Sequence, residues 1–370
     1  MSNIRLFVDC HVFDDIFQGT RTFLSGLYKR VIETNPDILF FLGSFDKENL
    51  IKEFGNRENV CFVRYWSKNK YIRLGLDIPV IIKKYKINIA HYQYITPFFK
   101  NSRQILTIHD LLFLDFPNLF PSWYKVRNRM LFSYSAMRAD FITTVSEYSK
   151  ASICKHFGIR DEKIEIIRDG IGEGFMKDES DIPGIKQKYG IDSFILSVGR
   201  IEPRKNYYQL LRAFDELELS KRGFKLVIIG SGSLTERQLS GYYSTLTDQA
   251  KASILFLNDI SEEDLQGLYH YCSLFVFPSL AEGFGIPPLE ASASGASVIC
   301  SGVTAMSEFG FPKERLFDPS DLEDLKEKID YFLKYPDEKR MEMTMAVRQK
   351  YSFNEPAGKF SEYIRMICKA

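Results

Sequence analysis

The sequence predicts an α/β protein of two doubly wound domains, each a parallel sheet covered by helices on both faces. Three observations lead there. Short runs rich in Ile, Val, Leu and Phe recur through both halves of the 370 residues. Each is followed by a longer stretch of helical periodicity, so the runs read as parallel strands buried on both faces. A polar segment broken by Pro and Gly, Lys177–Gly184, divides the two series and reads as a linker.

In chain order the expected strands are Ile4–Val8, Ile38–Leu42, Val60–Val63, Ile89–Tyr92, Ile105–Ile108, Phe141–Val145 and Ile164–Ile167, then Phe194–Val198, Phe224–Ile229, Ile254–Leu257, Leu274–Phe277 and Ser297–Cys300. Helix signals fall between them. Thr144-Val-Ser-Glu147 fits a capping box before a helix that Gly158 stops, and Ser261-Glu-Glu-Asp264 opens another. The domains are therefore expected at 1–184 and 185–352, with a final helix over 353–368 crossing back to the first. Ligands of open parallel sheets bind beyond the carboxyl ends of the strands. Two such domains in tandem are expected to face those ends toward a shared cleft, so the residues just after each strand carry the chemistry.

Composition narrows the class. With 49 Lys and Arg against 48 Asp and Glu, a net charge of +1, the chain is no general nucleic-acid binder. The balance hides an asymmetry: residues 1–188 hold 28 basic and 22 acidic side chains, a net +6, leaving −5 for the remainder. From Arg64 to Arg138 there are 13 basic residues and only Asp77, Asp110 and Asp115. The six cysteines are scattered without a C-x-x-C pair, as expected of free thiols in a reducing cytoplasm. The N-terminus lacks the apolar core of a signal peptide, and no stretch approaches the ~18 apolar residues of a membrane-spanning helix.

After Phe194–Val198 comes Gly199-Arg200-Ile-Glu-Pro-Arg-Lys205-Asn206. Glycine permits a close turn past a ligand, and Arg200 with Lys205 places two cations at the strand's mouth, suited to a diphosphate. A solvated basic loop is the plain alternative. After Leu274–Phe277, the loop holding Glu282, Gly283, Phe284 and Gly285 runs into a helix that opens on proline, aiming free backbone N–H groups at an anionic or polyhydroxyl ligand. Glu290 is placed in the first turn of that helix, where a carboxylate could also serve only the helix dipole.

E-x7-E over Glu282–Glu290, preceded by G-R-I-E-P-R-K-N, resembles the family 4 retaining glycosyltransferases of the GT-B fold. Thr144-Val-Ser-Glu-Tyr-Ser149, Lys163-Ile-Glu-Ile-Ile-Arg-Asp-Gly-Ile171 and Thr107-Ile-His-Asp110 extend the resemblance across most of the chain. It implies that Arg200 and Lys205 hold the diphosphate of a nucleotide-sugar, Glu290 the ribose, and Glu282 with the Gly283–Gly285 amides the transferred sugar. His109 would approach the sugar from the N-terminal domain, a buried core histidine being the alternative. Gly19, Gly199, Phe284 and Glu308 join the implied donor site. The chain departs from the family pattern in having one glycine in Gln18-Gly19-Thr20-Arg21-Thr22, Phe353 where tryptophan is common, and an altered surround at Glu308.

The resemblance implies hexosyl transfer with retention by front-face attack, and the absence of D-x-D from the chain favours cations over a metal on the diphosphate. No cofactor is expected beyond the nucleotide-sugar substrate. The Ile108-His109-Asp110 form is similar to mannosyltransferases of bacterial surface-polysaccharide assembly, which favours GDP-mannose and leaves UDP-sugars open. A nucleotide-sugar epimerase of the same fold and a noncatalytic nucleotide-sugar-binding partner are the alternatives. The acceptor is expected to be a glycan or lipid-linked saccharide. Finally, Lys68, Lys70, Arg73, Lys83, Lys84, Lys86, Lys125, Arg127 and Arg129 alternate with Trp66, Tyr71, Trp123, Tyr124 and Phe132. That belt reads either as a solvated face or as a peripheral contact with an anionic membrane, on the inner face of the cell membrane.

Overall fold

The computed structural model describes residues 4–14, 19–176, 184–232 and 237–369. It divides into two compact units, Met1–Gly170 with Phe353–Ala370, and Ile171–Ser352. The first junction thus lies between Gly170 and Ile171, ahead of the expected 184/185. The cause is an apolar anchor: Phe175, in the 3-10 turn Glu173–Met176, is buried edge-on to Tyr269 of the second unit, with ring centroids 5.8 Å apart. Residues 177–183 of the expected linker lie outside the described residues.

The first unit is built on seven strands, β1 Arg5–Asp9, β2 Leu39–Ser44, β3 Val60–Arg64, β4 Ile89–Gln93, β5 Arg103–Thr107, β6 Phe141–Thr144 and β7 Ile164–Ile166. Their order is β3-β2-β1-β4-β5-β6-β7, every pair parallel. Each coincides with an apolar run, because a strand covered on both faces must be apolar along its length. Phe7, Ala90, Leu106 and Ile142, from four neighbouring strands, share one buried cluster with Ile78, Ile81 and Ile82 of the helix Ile78–Lys84.

The last helix, Asn354–Lys369, packs on the helix Gly19–Thr34 of this unit. Phe360 meets Tyr28 edge-on at 5.9 Å, and Arg365 donates to both carboxylate oxygens of Asp37 at 2.8 Å. At its start the Phe353 ring lies on two glycines: a Cβ on Gly26 would stand 2.0 Å from the ring, and one on Gly170 2.8 Å. Glycine is required at both positions by close approach, with no unusual φ at either.

The second unit holds β8 Phe194–Val198, β9 Lys225–Ile229, β10 Ile254–Leu257, β11 Leu274–Phe277, β12 Val298–Ser301 and β13 Leu316–Phe317. They run parallel in the order β10-β9-β8-β11-β12-β13. The two-residue β13 was not expected, being too short for any periodicity; its pairing with Cys300 and Ser301 defines it. Ser261 caps its helix as expected, accepting from the Asp264 N–H at 3.0 Å. The cap before Glu147 is Ser146, which accepts from the Ser149 N–H at 3.1 Å, and not Thr144. Thr144 ends β6 instead and donates to the Ile108 carbonyl at 2.7 Å. All six cysteines are free thiols. Among the described residues no helix is long and apolar enough to cross a membrane.

Candidate active site

β8 and β11 are hydrogen-bonded neighbours, so the loops leaving their carboxyl ends emerge side by side. Residues far apart in sequence meet there. Lys205, in the 3-10 turn Pro203–Lys205, donates from Nζ to Glu282 Oε1 at 2.6 Å, and the Ser279 hydroxyl donates to the same oxygen at 2.6 Å. Arg204 Nη1 donates to Glu282 Oε2 at 2.5 Å and to the Ala281 carbonyl at 2.8 Å, while Nη2 reaches Glu202 at 2.6 Å.

Burial by itself would raise the Glu282 pKa, but the adjacent Arg204 and Lys205 outweigh it and hold the carboxyl down at about 2. Burial pulls Lys205 below the usual lysine range, against the attraction of Glu282. The result is a desolvated ion-pair cluster in which the carboxylate is fixed from both sides. Arg204, which the sequence reading passed over as part of the motif, is as central to it as Lys205. Thr304 was also missed: its hydroxyl accepts from the Glu282 N–H at 3.0 Å, and its own φ of 52° is a conformation that β-branched residues rarely adopt.

Arg200, exposed at the mouth of β8, makes no ion pair among the described residues. Of the two cations expected on a diphosphate, one is free and one is engaged with Glu282. The Gly199 carbonyl accepts from the Tyr207 hydroxyl at 2.8 Å, and a Cβ on Gly199 would stand 3.0 Å from Lys205. Gly230, which opens an incomplete G-x-G-x-x-G pattern, has a steric role: a Cβ there would lie 2.0 Å from the Gly199 carbonyl oxygen.

The helix Ile286–Ala293 is preceded by Gly285 at φ 94°, and Pro287 and Pro288 lack N–H groups, so Ile286 and Leu289 are the amide donors of its first turn. Glu290 is the fifth helical residue and lies beyond the first turn, so it is not a dipole-serving acid. It accepts from the Tyr269 hydroxyl at 3.2 Å, and burial pushes its pKa up to about 7. Phe284 is buried edge-on to Phe309 and Tyr351 at 5.9 and 6.2 Å, which leaves its backbone for any ligand contact. Glu308 closes the half-buried 3-10 turn Thr304–Glu308.

In the first unit His109 lies just past β5, buried, with Nε2 2.8 Å from Gln93 Oε1 and the Phe23 ring edge-on at 5.0 Å. Burial lowers its pKa to about 3, so the ring is neutral. Gly19 begins the helix Gly19–Thr34, and a Cβ there would meet nothing within 4 Å. Among the described residues nothing steric demands glycine at that position.

The expected basic belt is only partly a surface. Arg73 is buried 3.5 Å from Asp9, and Phe132 belongs to the core. Trp66 and Trp123 are 70% and 64% exposed. With them the structure exposes Val126, Met130 and Met137 along the helix Ser122–Arg138, and Tyr71, Leu76 and Val80 nearby in sequence. Arg127 lies over the Trp123 ring at 4.9 Å.

Two family models match the chain in tandem, one described as Glycosyltransferase Family 4 over residues 40–173 and one as Glycosyl transferases group 1 over residues 178–350. The serotype-specific mannosyltransferase WbdA of Escherichia coli is 32% identical over 195 residues, 51% of this chain and 24% of WbdA. The O-antigen chain mannosyltransferase RfbU of Salmonella typhimurium is 30% identical over 205 residues, 55% of this chain and 54% of RfbU. The chain therefore spans about a quarter of one relative's length and about half of the other's. A glycosyltransferase from Rickettsia africae shares the fold over 100% of both chains, with a TM-score of 0.75 at 18% identity. Two parallel α/β units with an E-x7-E site define a GT-B protein. The chain belongs to the family 4 glycosyltransferases of that fold.

Proposed function

We propose that the chain transfers a hexosyl group, with mannose favoured, from a nucleoside diphosphate to a hydroxyl of a glycan or lipid-linked saccharide in bacterial polysaccharide assembly. The Lys205–Glu282–Arg204 cluster carries this reading, supported by the mannosyltransferase names of relatives. A carboxylate clamped between two cations, next to the free Arg200 and a helix N-terminus, suits a site where a sugar is oriented and a leaving diphosphate stabilised. GDP-mannose is the favoured donor, with UDP-sugars the alternative.

In the proposed step the bond from the anomeric carbon to the diphosphate oxygen breaks as the acceptor oxygen bonds to the same face. The acceptor's proton passes to the departing phosphate. Arg200 and Lys205 offset the charge developing on the diphosphate, Glu282 orients sugar hydroxyls, and Glu290 accepts from the ribose. No metal is required, because those cations take its place. Docking to an anionic membrane surface is part of the proposal, through Lys83, Lys84, Lys86 and Arg129 together with Trp66, Trp123, Val126 and Met130, which places the work at the inner membrane face.

Incubation with GDP-mannose alone and then with a lipid-linked saccharide tests the reading. Mannosyl product that forms only with acceptor, and persists in EDTA, supports it. Isomerised sugar or free nucleotide without acceptor points to an epimerase, absence of turnover to a binding partner, and restoration by magnesium or manganese after EDTA overturns metal independence.

A further inference from the structure

A buried imidazole needs a partner at each nitrogen, and the partner's chemistry decides which nitrogen carries the proton. In the first unit two histidines share one amide. Gln93 ends β4, His91 stands two residues earlier on the same strand, and His109 follows β5. Gln93 Oε1 lies 2.8 Å from His109 Nε2, and Gln93 Nε2 lies 3.2 Å from His91 Nε2. On its other side, His91 Nδ1 is 2.7 Å from the Tyr28 hydroxyl. Thr107 Oγ1 is 2.6 Å from His91 Nε2 and 2.6 Å from Thr143 Oγ1. Burial lowers both histidines to about 3, so each ring is neutral and carries one proton.

The amide's two ends impose opposite demands. Its oxygen only accepts, so His109 Nε2 bears a proton. Its nitrogen only donates, so His91 Nε2 is bare and the His91 proton sits on Nδ1, toward Tyr28. The single lone pair of the bare Nε2 is then shared between the amide and the Thr107 hydroxyl, which in turn accepts from Thr143. His109 Nδ1 is left bare, with no partner among the described residues.

We infer that Gln93 is a positioning residue that locks His91 and His109 in opposite tautomers, keeping His109 Nδ1 an acceptor for a substrate hydroxyl. Turning the amide over would exchange both tautomers together and make Nδ1 a donor. The substrate role rests on the proposed function; the lock itself does not.

Long-range proton–nitrogen correlation spectra of the 13C,15N-labelled protein report the protonated nitrogen of each histidine, with each ring assigned through its bonded Cβ to its own backbone. The expected result is a proton on Nε2 of His109 and on Nδ1 of His91. The same tautomer at both, or a proton on His109 Nδ1, overturns the lock, and this wild-type measurement decides even if variants fail to fold. Gln93→Leu should mix the His109 tautomers and lower kcat about fivefold, the size of one neutral hydrogen bond, without changing nucleoside diphosphate affinity. Gln93→Glu, which keeps an acceptor toward Nε2, should retain the His109 tautomer and most turnover. Unchanged tautomer and turnover in Gln93→Leu would overturn the positioning role. A wild-type protein with no transferase activity would defeat the functional reading while the spectrum still decides the lock.

Discussion

Lys205 Nζ and Glu282 Oε1 meet at 2.6 Å, a buried ion pair between residues 77 positions apart. Arg204 occupies the other carboxylate oxygen. Under the proposed function this links the two roles: Lys205 turns to an incoming diphosphate by giving up part of its bond to Glu282, and Arg204 keeps that carboxylate compensated meanwhile.

Lys205→Met should cost about 2 kcal/mol of stability. That is below the ~3–5 kcal/mol of a fully broken buried pair, because Arg204 still faces Glu282. Adding Glu282→Gln should recover part of the loss, read as coupling in urea denaturation of the single and double variants. The same Lys205 change should weaken GDP by about 10- to 100-fold while leaving guanosine binding unchanged. Equal loss of both ligands in calorimetry would refute the diphosphate role.

Glu290 gives a pH signature of definite sign. Its pKa rises from 4.5 to about 7 on folding, so between those values the folded protein holds a proton the unfolded chain lacks. Stability from this group is full below the lower value and is lost as pH rises through the upper one. Glu290→Gln removes the dependence, so it should gain about 1–2 kcal/mol on wild type between about pH 5 and about pH 8, a shift discounted because the side chain is half-buried. Denaturation curves across that range test it, and a pH-independent difference would count against the assignment.

The two carboxylates should also separate by function. Glu282→Gln is expected to lower kcat by a larger factor than it changes GDP affinity, and Glu290→Ala to do the reverse through the ribose. Equal losses of GDP affinity would show that the carboxylates do not divide the ligand in this way.

Two helical glycines should respond oppositely to alanine. Gly358 has open space at its Cβ position, so Gly358→Ala should stabilise by about 1 kcal/mol through helix propensity. At Gly26 the same gain is overridden by the Phe353 ring 2.0 Å from the added carbon, and overpacking should leave the variant about 1–2 kcal/mol less stable. Thermal unfolding of both decides.

Vesicle sedimentation tests the membrane face. At ~1 kcal/mol per basic residue near lipid, Lys83, Lys84, Lys86 and Arg129 give about 4 kcal/mol, lost in high salt. Changing the three lysines to Glu, or Trp123 and Met130 to Ser, should each release the protein from anionic vesicles. Binding that survives both sets refutes the surface.

The strands and the type of site were legible because they are properties of neighbours along the chain. Twelve apolar runs became strands, and Arg200, Lys205, Glu282 and Glu290 stood out as charges in glycine- and proline-marked loops. What the chain order could not contain is who meets whom. Arg204 and Thr304 entered the site only because β8 and β11 pair and bring their loops together. Gln93 came between two histidines through the register that sets it against Thr107. Arg73 and Phe132, counted as surface in the basic belt, were drawn inside by Asp9 and by the apolar cluster. Val126, Met130 and Met137, spaced like a core stripe, were left outside. Periodicity marks which residues share a face; only packing and desolvation choose whether that face meets protein or solvent.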